Sequence, residues 1–132
     1  MKGIGFLGLV LLLVACSGGQ IDYPKREIPQ QLLGSLEAQR AGQQLFLDNC
    51  AFCHGHVEEG RSQRANDYDP PPMDFSDPQY HSVDPAYLYW RIAEGKNVEP
   101  FRSRGSVMPA WGAHYTEEQI WQLVAYIRAR SR

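Results

Sequence analysis

The sequence predicts an all-α domain with long irregular loops, on three observations. Apolar residues recur at helical spacing in three segments that open with capping signals, and no segment shows the period-2 alternation of a half-buried strand. The first helical segment also runs directly into Cys50-Ala51-Phe52-Cys53-His54, where a covalently held group can stand in for missing core. The first helix covers about residues 36–49, with Ser35 as its N-cap and Ala38, Ala41, Gly42, Leu45 and Phe46 on one face. The second takes Asp84 as its cap and Pro85 at its first position, continues through Tyr87, Leu88 and Ile92, and stops at Gly95. The third starts at Thr116, where Gln119 completes a capping box, and sets Ile120, Leu123, Val124 and Ile127 at helical spacing. Arg128 and Arg130 suit the negative end of its dipole. Residues 55–83 and 96–115 are long for loops in so small a domain, unless they wrap a prosthetic group.

Thiols three positions apart on a helical turn reach two vinyl groups of one haem, and the imidazole of His54 then lies under the ring with a neutral nitrogen for iron. Cys50 and Cys53 are therefore the expected thioether residues and His54 the proximal ligand. A zinc site needs further ligands at finger-like spacing, and no cysteine follows Cys53. A redox dithiol would want a strand-to-helix setting, which the flanking residues do not offer.

The third cysteine, Cys16, ends a stretch that reads as an export signal: Lys2, an apolar run over residues 4–14, then small residues. That run is too short to cross a bilayer as a helix. Leu13-Val14-Ala15-Cys16 resembles a bacterial lipobox, which implies removal of residues 1–15 and acylation of Cys16, leaving the domain anchored to a membrane rather than spanning it. A plain signal with an unpaired cysteine is the alternative, and no disulfide is expected. Cleavage leaves 117 of 132 residues, which fits one small domain, and moves the formal charge from −2 to −3, with nothing that suggests a nucleic-acid binder. Residues 16–34, rich in serine, glycine, proline and mixed charge, read as a lipidated flexible tether, and residues 35–132 as the domain.

The occupant of the second face of the iron separates a carrier from a gas-binding or catalytic haem. Met108 lies in Gly105-Ser106-Val107-Met108-Pro109, an irregular loop just before the last helix, and is the expected sixth ligand. Met73, after Pro70-Pro71-Pro72, reads as loop packing. His56 is too near His54 to cross the ring, while His81 and His114 read as surface residues beside helix starts.

Over about residues 36–130 the chain resembles the class I mono-haem cytochromes c. Gly42, Phe46 and Cys50 at four-residue steps match that family's first helix, Leu123 and Tyr126 its last, and Met108-Pro109-Ala110-Trp111 its distal loop. The resemblance implies one covalent haem c, a close crossing of first and last helices at Gly42, and a proline carbonyl holding the imidazole of His54, with Pro70, Pro71 and Pro72 as candidates. It also implies an electron carrier rather than an enzyme, working in the bacterial cell envelope with unidentified redox partner proteins. A fixed subunit of a respiratory or dehydrogenase complex is the second reading, and a sensor or enzyme with an open distal face the third. The chain departs from the family pattern in its tether and in the loop over residues 56–69, read as solvated.

Overall fold

The computed structural model describes residues 21–131, and the expected lipidation site Cys16 lies outside them. Among the described residues there are five α-helices: α1 (Gln30–Gly34), α2 (Leu36–Asn49), α3 (Ala51–His54), α4 (Pro85–Glu94) and α5 (Glu117–Arg130). Short 3-10 turns lie at Gln63–Asp67 and Pro78–His81, and no strand occurs among these residues.

Helix starts follow from side chains that take up otherwise orphaned amides. Ser35 Oγ accepts from the Ala38 amide at 3.3 Å, and Asp84 accepts from Ala86 at 2.9 Å with Pro85 occupying the first turn of α4. At α5 the amide of Thr116 donates to Gln119 while the amide of Gln119 donates to Thr116, a complete capping box.

The core forms where α2 crosses α5. A Cβ added at Gly42 would overlap the carbonyl oxygen of Gln122, so only glycine lets the two backbones touch here. One turn on, the Phe46 ring meets Tyr126 edge-on at 5.2 Å between centroids. Ile120, Leu123, Val124 and Ile127 fill the inner face of α5, with Val124 fully buried.

Residues 21–34, expected as a free tether, lie against the domain over this described part. Ile28, Leu32 and Leu33 pack on the core, Tyr23 stacks on Trp90 and donates to Asp84 at 2.6 Å, and Arg26 covers the Tyr89 ring. Scattered apolar residues among polar ones hid this docking, because each contact is made to a distant part of the chain.

The end of α4 organises the long loop that follows it. The carbonyls of Ile92 and Ala93, left without helical partners, accept from the amides of Trp111 (3.1 Å) and Gly112 (2.9 Å). Gly95 turns the chain with φ +64°, and a Cβ there would come within 2.5 Å of the Pro109 carbonyl. Beside it the Lys96 amide donates to the Met108 carbonyl at 3.1 Å. The loop carrying Met108 is thus fixed to a helix end by backbone bonds.

Candidate functional site

Helix α2 ends at Asn49, and Cys50 opens the single turn of α3 with its carbonyl accepting from the His54 amide at 2.9 Å. Cys50, Cys53, His54 and Met108 all line one cavity of about 450 Å³, within the roughly 300–1,000 Å³ of cofactor-sized sites. The four residues that the sequence singles out thus line one space. His56, His81 and His114 lie outside it.

The imidazole of His54 is oriented from behind. Its Nδ1–H donates to the carbonyl of Met73 at 2.9 Å, which leaves Nε2 as the free nitrogen. The expected acceptors Pro70, Pro71 and Pro72 are thus displaced by one residue: the carbonyl that reaches the ring belongs to Met73, just after the proline run. Phe75 stacks on the imidazole at 4.6 Å and Phe46 adjoins it at 6.3 Å. Burial pushes the His54 pKa down against the opposing Met73 bond, and the charges of Lys96 and Arg130 push the same way. The neutral ring that a metal ligand requires is the favoured form.

Burial, with Cys53 adding to it, pushes the Cys50 thiol up to about 12. Among the described residues no group of three His, Cys, Asp or Glu is placed to hold a metal ion.

The cavity wall fits a flat apolar ring with anionic edges. Phe46, Phe75, Tyr80, Leu88, Ile92, Leu123 and Ile127 supply the apolar faces, and Arg91 and Lys96 also line the space. Arg91 is buried and donates once, to the Gly95 carbonyl at 2.8 Å, while its Nε and Nη2 have no partner. A buried guanidinium with two idle donors calls for an anion. Arg91 would hold the propionates of a bound haem, which would supply that charge, with Lys96, whose pKa burial pushes down, as a second cation. The sequence held a sign of this: Arg91 sits among Tyr87, Leu88 and Ile92 on a helix face otherwise apolar.

The family profile described as cytochrome c oxidase, cbb3-type, subunit III matches residues 37–127. The cbb3-type cytochrome c oxidase subunit FixP of Sinorhizobium medicae is 28% identical over 118 residues, which is 86% of this chain and 38% of that protein. FixPc of Rhizobium leguminosarum is 25% identical over 92 residues, 67% of this chain and 26% of that protein. The chain thus spans well under half the length of these relatives. Among solved structures, a chain of the reducing HAO-like protein complex of Kuenenia stuttgartiensis superposes with a TM-score of 0.63 at 20% identity, covering 86% of this chain and 52% of its own. Cytochrome CL of Methylophaga aminisulfidivorans gives 0.54 at 21% identity, covering 86% and 71%. At these identities the structural likeness speaks for the all-α cytochrome c fold alone. Motif and family together assign a covalent haem c as the prosthetic group and electron transfer, not conversion of a substrate, as the chemistry. The chain belongs to the family of the cbb3-type cytochrome c oxidase subunit III, as a class I mono-haem cytochrome c domain.

Proposed function

We propose that this protein carries one electron on a low-spin haem c whose iron is held by His54 Nε2 and Met108 Sδ, with Cys50 and Cys53 as the thioether residues. One observation carries the reading: His54, oriented through Nδ1, shares a cavity with Met108, whose loop is bonded to the end of α4. Bound haem supplies a reversible one-electron couple, and a six-coordinate site held on both sides reorganises little when it turns over. The chain's part is to keep the imidazole neutral and oriented, to hold the thioether loop still and to exclude water with aromatic walls. Met73 also lines the cavity, but its carbonyl is engaged on the His54 ring, which favours Met108 for the opposite face. Intact mass of protein matured in haem-attaching cells should exceed the apoprotein by one haem, and Met108→Ala should alter the visible spectrum. An unaltered spectrum would remove Met108 from the iron.

Residues 1–15 are proposed as the export signal, Cys16 as the acylated anchor residue, residues 16–34 as the connection and residues 35–132 as the domain, placing it at a membrane of the cell envelope. No described helix is long and apolar enough to cross a membrane. A second reading, a fixed subunit of a terminal oxidase, draws on the FixP relatives. Size exclusion after mild detergent extraction distinguishes the two, since a free carrier elutes alone.

A further inference from the structure

Arg130, near the end of α5, is 4% exposed and points back beneath the haem-attachment turn. Its Nη1 donates to the Gly55 carbonyl at 3.1 Å, and Nη2 donates to the carbonyls of His56 (3.0 Å) and Gly60 (3.3 Å). Gly55 and His56 follow His54 directly in the chain, and Gly60 lies four residues further on. The guanidinium also lies 4.9 Å from the centre of the Phe46 ring, which itself adjoins the His54 imidazole. Among the described residues the one ion pair within 4 Å joins Arg26 to Glu117, so Arg130 meets carbonyl dipoles and ring faces but no carboxylate. Its Nε has no partner at all. Asp74 feels this charge from a distance: its carboxyl is held below the usual range first by Ser76 and in smaller part by Arg61 and Arg130.

A permanent cation in so dry a setting is costly unless something offsets it, and helix-dipole complementation, which an exposed side chain supplies, does not explain burial. We infer that Arg130 is a positioning residue that sets the reduction potential from behind the proximal imidazole. Its charge, which no described carboxylate within 4 Å neutralises, favours the state in which the haem has gained one electron, with no proton moved and no bond made or broken. Its three hydrogen bonds hold the Gly55–Gly60 turn so that His54 keeps its tilt. This inference rests on haem being bound through His54, and it asks nothing of the distal ligand.

The test is a spectroelectrochemical titration of the holoprotein at fixed pH and ionic strength. Arg130→Met should shift the ferric-to-ferrous equilibrium about tenfold toward ferric, a fall of about 59 mV for one electron. Arg130→Lys, which keeps the charge and loses the fork, should recover most of that shift. Asp74→Asn should move the midpoint the other way by a smaller amount, because Asp74 is only partly buried. An unmoved midpoint in Arg130→Met, or a fall in Arg130→Lys as large as in Arg130→Met, overturns the inference. If Arg130→Met fails to fold, Asp74→Asn decides, and a midpoint that stays or drops is the refuting result. Wild-type protein without covalent haem would instead overturn the reading beneath it.

Discussion

Two methionines share the cavity wall, and what their backbones do separates them. The Met73 carbonyl meets the His54 ring, whereas the Met108 carbonyl accepts from Lys96 and ties its loop to the end of α4. Met108→Ala should lower the midpoint by more than about 59 mV, one factor of ten, because a thioether favours ferrous iron. Redox titration with the wild type alongside checks it. Asp74 offers a separate test, because it is charged more readily in the folded chain than in the unfolded one. The unfolded state therefore binds more protons, and the stability Asp74 contributes is present above the ordinary carboxylate pKa and lost as pH falls below about 4. Thermal unfolding against pH should show a shallower acid loss in Asp74→Asn than in the wild type. At this scale the sequence singles out the thiols, the imidazole and the sulfur as candidates, because their chemistry is in their side chains. It hides the Met73 acceptor, since any residue owns a carbonyl, and it hides the roles of Arg91 and Arg130, since their burial depends on what other segments bring near.

Helices fare better than loops because a cap is a local code. Ser35, Asp84-Pro85 and Thr116 with Gln119 each act within four residues of themselves, so the three long helices are readable as written. Gly42 is readable for a different reason: its contact is long-range, and it is the resemblance to the class I cytochromes c that implies a close crossing there. Gly42→Ala should cost about 3 kcal/mol or abolish folding, since the added carbon meets backbone oxygen rather than a movable side chain. Chemical denaturation measures that loss. Gly95→Ala tests the loop junction, where both a φ of +64° and the Pro109 carbonyl exclude a side chain. The Met108 loop should be displaced, and reduced Gly95→Ala protein should bind carbon monoxide at neutral pH while the wild type resists it.

For the molecule as a whole, the described N-terminal segment behaves as part of the domain. Ile28, Leu32 and Leu33 touch the core, and Tyr23 and Arg26 grip α4 and the start of α5. A chain starting at residue 35 should melt about 4–8 °C below one starting at residue 21, the shift that roughly 1 kcal/mol produces in a domain of this size. Equal melting temperatures would show the docking to be energetically idle. Composition could not reveal this, because polar spacers and strapped segments draw on the same residues and differ only in what lies opposite them.

The two amide protons that Trp111 and Gly112 lend to the end of α4 act as a latch with a measurable clock. If Met108 closes the distal face as proposed, a small exogenous molecule such as azide should reach the iron only when that latch springs. Deuterium uptake at these two positions and azide capture by the ferric protein should then share one rate constant and one dependence on temperature.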